Sequence, residues 1–111
     1  MSQFLKKKIY FESLDSTNDY LIQLYKKFNL KSNFLVVSER QKKGRGRMGK
    51  VWFSDPLSLT FSFSIALNSQ MDGWEMNMAI SLALIKALKD FGIKSEIKYP
   101  NDILVKNKKI A

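Results

Sequence analysis

The chain has 111 residues, 45% of them apolar and 13% aromatic, which is enough hydrophobic mass for one compact domain and too much for a disordered segment. No stretch is long and apolar enough for a membrane span, and MSQFLKKKIY lacks the apolar run and cleavage site of a secretory signal, so a cytoplasmic protein with no membrane partner is expected. There is no cysteine and no histidine, which excludes disulfides, thiolate metal sites and an imidazole base, and no protein metal site is expected.

The chemistry must therefore come from Lys, Arg, Asp, Glu and the backbone. The 19 Lys and Arg against 10 Asp and Glu leave a charge of +9, which favours an anionic partner: nucleotide, nucleic acid or an acidic protein surface. The positive charge is concentrated in two places. Arg40, Lys42, Lys43, Arg45, Arg47 and Lys50 form one focus and Lys106, Lys108 and Lys109 the other, an arrangement that suits two walls of a site better than a stripe along one helix.

In chain order, the β-branched and aromatic residues at Ile9–Phe11 predict a strand that breaks at LDSTN. Asp15 or Ser16 caps a helix over 17–28, where Tyr20, Leu21, Leu24, Tyr25 and Phe28 recur at helical spacing. FLVVSE, 34–39, is a second strand that feeds the basic loop QKKGRGRMGKVW. In LTFSFSIAL, 59–67, apolar and small residues alternate strictly, which predicts a strand with the Leu59, Phe61, Phe63, Ile65 and Leu67 face in the core. Its small hydroxyl face leaves room for a ligand or a packed helix. Residues 74–91, closed by Gly92, predict a mostly buried helix. IKSEIKYPNDILVKNKKIA then reads as strand, Pro turn, strand and a hairpin turn at Asn107-Lys108. This order predicts an α+β fold, a mixed sheet with helices packed on one face.

Three clusters can carry chemistry. DSTN reads first as a helix cap; its functional reading is that Ser16 and Thr17, beside the helix N-terminal amides, bind a polar head group or an anion. In the loop, glycines at 44, 46 and 49 let backbone amides approach an anion, and Arg45 and Arg47 supply planar forks to carboxylate or phosphate. The loop matches neither the dinucleotide fingerprint nor a P-loop, and read alone it is also a solvated basic loop. In KYPNDILVKNKK, the turn can present Asn101 and Asp102 while the hairpin returns Lys109 near them as a fixed cation for phosphoryl chemistry.

Taken together and in this order, DSTN, GRGRMGKVW and KYPNDILVKNKKIA resemble the catalytic domain of the biotin protein ligases (biotin–acetyl-CoA-carboxylase ligase), from about Ile9 to the last residue. The resemblance implies the catalytic fold related to class II aminoacyl-tRNA synthetases. It implies a ligase that joins biotin to AMP with MgATP, then passes the biotinyl group to a lysine of the biotin carrier domain of acetyl-CoA carboxylase or a related carboxylase. Ser16, Thr17, Gln41, Gly44 and Arg45 then correspond to biotin-binding positions, and Arg47, Trp52 and Asn101 to nucleotide-binding ones. Lys109, Arg45 and Asp102 correspond to the catalytic positions, with Lys109 bridging the biotin carboxylate and the α-phosphate and Asp102 near the incoming lysine.

Met48 and Lys50 stand where the family commonly has basic residues, Lys50 for an arginine, and Tyr99 stands for the usual tryptophan. By the same resemblance, residues 1–111 are the first half of a catalytic domain, with no DNA-binding domain before it and the remainder beyond Ala111 absent. The chain alone is then expected to be poorly active, with Lys109 loosely held, and a homodimer is compatible with the resemblance. The alternatives are a lipoyl or octanoyl transferase of the same fold and a basic nucleic-acid-binding module. Nucleic acid is the weaker of these, because the aromatic residues do not interleave with the basic run as a stacking platform requires.

Overall fold

The computed structural model describes residues 7–29, 33–55, 57–65 and 70–111. They fall into two compact units, Met1–Ala66 and Leu67–Ala111.

The first unit is built on β1 (Lys7–Leu14), α1 (Thr17–Phe28), β2 (Phe34–Gln41) and β3 (Thr60–Phe63). β1 and β2 run parallel, as they must when a helix carries the chain from one to the other, and β3 adds antiparallel to the free side of β2. The register aligns Ile9, Val36 and Ser62 across one face, and Phe11, Ser38 and Thr60 beside them. α1 lies on this face. Phe11 meets Tyr20 edge to face, with ring centroids 4.8 Å apart, and Leu21 and Val36 are buried between helix and sheet.

β3 corrects an expectation. Its alternation is present, but the sides are reversed: Thr60 is 8% exposed while Phe61 and Phe63 are 38% and 36% exposed. The hydroxyl face takes the packed helix for which its small residues were expected to leave room, and α1 arrives with hydroxyls of its own. Tyr25 Oη lies 2.6 Å from Ser64 Oγ, and Thr17 Oγ1 lies 2.8 Å from Ser62 Oγ, so small residues both admit the helix and satisfy its polar groups. The displaced apolar row, Phe61 and Phe63 with their β2 partners Val37 and Leu35, covers the opposite face, where the two rings stack 6.2 Å apart. The strand is also shorter than expected: it ends at Phe63, and Ala66 and Leu67 lie outside the described residues.

The second unit holds α2 (Gly73–Asp90) and an antiparallel meander of β4 (Glu96–Lys98), β5 (Asp102–Val105) and β6 (Lys108–Lys109). Asp72 caps α2 by accepting from the Glu75 amide at 2.8 Å. The helix ends in a Schellman motif: Ile93 N–H donates to Leu88 O and Gly92 N–H to Lys89 O, both at 2.9 Å, with Gly92 at φ +79°. α2 is not the mostly buried helix its composition predicts. Within it only Ser81 is buried, whereas Trp74 and Leu82 are exposed, because strands of two to four residues cannot cover five helical turns. The final hairpin turns at Lys106-Asn107, one residue earlier than expected. Both have positive φ, 50° and 64°, which is the geometry a two-residue turn needs and which admits Asn at its second position.

Two measurements follow from these features. Gly92→Ala should cost about 1–2 kcal/mol in urea unfolding, since the Schellman turn requires a left-handed backbone. In the first unit, Tyr10 Oη donates to Glu39 Oε1 at 2.6 Å, and this bond, more than the smaller burial and charge effects, raises the phenol above its ordinary 10.0. A raised folded value means a stabilising contribution present below pH 10 that is lost as pH climbs through the folded value. Ultraviolet titration should show Tyr10 ionising late, and Glu39→Ala should bring it back towards 10.

Candidate active site

The parallel pairing of β1 with β2 ends at Leu14 opposite Gln41. This places the start of α1 beside the point where the chain leaves the sheet for the basic loop. Ser16 is the N-cap, and its Oγ accepts from the Asp19 amide at 3.2 Å, so the capping reading of DSTN holds for this residue. Thr17, the first helical residue, has an amide with no partner inside the helix. Gln41 Oε1 takes that amide at 2.8 Å and also the Thr17 hydroxyl at 3.1 Å.

The donors fix the orientation of the whole group. A backbone N–H can only donate, so Gln41 turns its oxygen to the helix and its Nε2 away. Having given its proton to Gln41, the Thr17 hydroxyl accepts from Ser62 at 2.8 Å. Ser16 and Thr17 are buried and Gln41 is half-buried, so the group is a set of oriented polar atoms in a largely dry setting. Ser62 belongs to the hydroxyl face expected to leave room for a ligand or a packed helix, whereas Ser54 was not legible as a member. Ser54 Oγ accepts the Gln41 amide at 2.9 Å, and only the fold brings it there.

The loop itself is a short hairpin. Arg45 pairs with Val51 across an isolated bridge; Trp52 N–H donates to Gly44 O at 2.9 Å and Gly46 N–H to Lys50 O at 2.6 Å. Gly44 is buried where no other residue fits: a Cβ there would lie 2.5 Å from the Trp52 carbonyl oxygen and 2.7 Å from Gln41 Nε2. Arg45 forks onto Asp19 in the first turn of α1, through Nη2 to Oδ1 and Nε to Oδ2. That bond, with the added attraction of the carboxylate, raises the guanidinium further above its ordinary value and keeps it charged. Arg47 and Trp52 both lie in the exposed part of the loop.

In the second unit, Asn101 and Asp102 stand at the turn between β4 and β5, and the Pro100 carbonyl beside them accepts from Asn77 Nδ2 of α2 at 2.7 Å. Leu104 pairs with Lys109 across β5 and β6, and the bonds between Ile103 and residues 110–111 carry the ladder further. Lys109, expected to be loosely held, thus sits in β6 with its Nζ 3.1 Å from Asp102 Oδ1. The expectation that the hairpin returns this lysine to the Pro-Asn-Asp turn agrees with the structure. The structure thus brings Ser16, Thr17, Gln41, Gly44 and Arg45 together in one unit, and Asp102 and Lys109 in the other.

Residues 10–111 match the biotin/lipoate A/B protein ligase family. The chain belongs to that family. Among its relatives is the bifunctional ligase/repressor BirA of Bacillus subtilis, 33% identical over 107 residues, which are 91% of this chain and 32% of the relative. The biotin acetyl coenzyme A carboxylase synthetase of Helicobacter pylori, solved with bound biotinylated ATP, superposes with a TM-score of 0.85 at 29% identity, over 93% of this chain and 51% of that one. The biotin protein ligase of Aquifex aeolicus, solved with biotin and ATP, gives 0.76 at 30% identity, over 95% and 44%. The chain thus spans about a third of the curated relative and about half of the solved ones, and over that span it has the biotin protein ligase catalytic fold.

Gly44→Ala should lower the stability of the first unit by about 1–3 kcal/mol, the usual cost of forcing atoms into a filled space. Gly46→Ala is the control, because its Cβ would come no closer than 3.6 Å to a neighbour. Urea unfolding followed by tryptophan fluorescence should separate the two, with Gly46→Ala close to the parent.

Proposed function

We propose that residues 1–111 form the first half of a biotin protein ligase catalytic domain, which activates biotin as biotinyl-5′-AMP and transfers it to a lysine of a carboxylase carrier domain. The observation that carries this reading is the Thr17–Gln41 pair at the base of the Gly44 hairpin, with Thr17 buried and Gln41 half-buried, in a chain whose solved relatives hold biotin and ATP. Biotin presents a small planar urea with donors and an acceptor in fixed directions. Ser16, Thr17 and Gln41 offer hydroxyl and amide groups held in fixed directions to meet it, and the Gly44 backbone can approach closely because it carries no side chain.

In the first step a biotin carboxylate oxygen attacks the α-phosphorus of ATP; the new O–P bond forms as the bond to pyrophosphate breaks. Both reactants are anions, so fixed cations reduce their repulsion, and we assign this work to Arg45, Arg47 and Lys109. Mg²⁺ enters with the nucleotide as MgATP. No histidine is needed, because the nucleophile is already ionised. In the second step the ε-amine of the carrier lysine attacks the acyl carbon to form the amide bond, AMP leaves with the electrons of the acyl–oxygen bond, and the nitrogen gives its surplus proton to solvent. Asp102 is assigned a place near that amine, and Asn101 and Trp52 contacts to the nucleotide.

The family's own description includes lipoate, so a lipoyl or octanoyl transferase is the second reading. A thermal shift with biotin and none with lipoate decides between them. Incubating the complete encoded polypeptide with biotin and α-labelled MgATP should give labelled biotinyl-AMP. Arg45→Ala and Lys109→Ala should each reduce the yield about 10²-fold, as loss of one charge-stabilising donor does elsewhere. No labelled adduct from the parent overturns the assignment; equal yields from the variants overturn the roles of these two residues.

A further inference from the structure

The Gly44–Trp52 hairpin is fastened near its base by neutral hydrogen bonds. Lys42 N–H donates to Leu14 O and Lys43 N–H to Asp15 O, both at 2.8 Å, and Gln41 Oε1 accepts from Thr17. All of these lie before Gly44. Beyond it, Arg45 reaches back to Asp19, and Arg45 is also the residue that pairs with Val51 in the returning arm. This contact to the helix therefore bears on both arms of the hairpin, while Ser54 Oγ, accepting from the Gln41 amide, fastens the base of the returning arm.

We propose that Asp19 is a positioning residue for this hairpin. Its carboxylate anchors Arg45, and through the Arg45–Val51 bridge it sets the distance between the loop and the N-terminus of α1. Three observations support this. Asp19 has its amide capped by Ser16, which holds the residue in the first turn, and its carboxylate is directed to Arg45. The guanidinium meets it as a fork, through two nitrogens and two oxygens, a geometry that fixes orientation as well as distance. The pair spans 26 residues of sequence, so it joins two elements and does not merely brace one helix. The consequence for the ligand rests on the biotin reading: in the unliganded protein Asp19 holds Arg45 and with it the loop, and an anionic ligand gains the charge of that guanidinium in competition with Asp19.

The test is amide hydrogen exchange in the unliganded protein, read at the Gly46 and Trp52 amides, both of which are bonded within the hairpin. Asp19→Asn and Arg45→Gln should each speed exchange about 2- to 5-fold, the range expected for an exposed ion pair. The double variant should be no faster than either single, Asp19→Glu should keep the slow rate, and the differences should shrink near about 1 M salt. Circular dichroism establishes that each variant is folded. The proposal is overturned if Asp19→Asn leaves both amides unchanged, or if the two substitutions add. It is equally overturned if Asp19→Asn acts while Arg45→Gln does not, because the charge then serves only the helix dipole. The exchange experiment contains no biotin, so a failure of the biotin reading in the labelled-ATP assay leaves this outcome independent.

Discussion

The hydrogen bonds from Thr17 to the side chain of Gln41 organise the first unit. A helix begins with amides that have no partner of their own, and here the earliest of them is served by a residue 24 positions later, at the end of the neighbouring strand. That single side chain ties three things together: the start of α1, the end of β2 and the base of the glycine hairpin. A buried donor left unpaired costs about 1–3 kcal/mol, so the arrangement holds as a unit. The residues assigned to biotin in the proposed function are thus the same residues that close the fold, and the fold itself orients their polar atoms.

Much of this was legible where the cause is local. The α1 boundaries and the Ser16 cap follow from helical spacing next to a hydroxyl residue, and β1 and β2 from β-branched and aromatic runs. The close approach at Gly44 is a matter of one missing Cβ, though the Trp52 carbonyl it spares becomes visible only in three dimensions. The pairings of Asp19 with Arg45 and Thr17 with Gln41 join residues more than twenty positions apart, and no local pattern encodes them. Asp19 is an acidic residue in the first turn of α1, and nothing in its neighbours along the chain points to Arg45.

The errors have a common source. Alternation in β3 establishes that two faces differ, but it does not say which one meets the helix, because that depends on what the helix brings. Hydrophobicity suggested the phenylalanine face for the core and left the hydroxyl face open to a ligand or a packed helix; the hydroxyls of Thr17 and Tyr25 bring the helix, and the burial, to the serines. Likewise, the apolar composition of α2 predicts burial without saying how much sheet there is to bury it. The turn at Lys106-Asn107 shifted by one residue because turn chemistry is set by backbone angles that Lys and Asn both tolerate here.

The serine-lined seam beneath α1 has a mechanical consequence. Apolar packing positions a helix through shape alone. A seam closed by hydroxyl pairs at Ser62 and Ser64 works like two dowels set along one edge. Because hydrogen bonds are directional, the two pairs fix the helix along its axis as well as against the sheet.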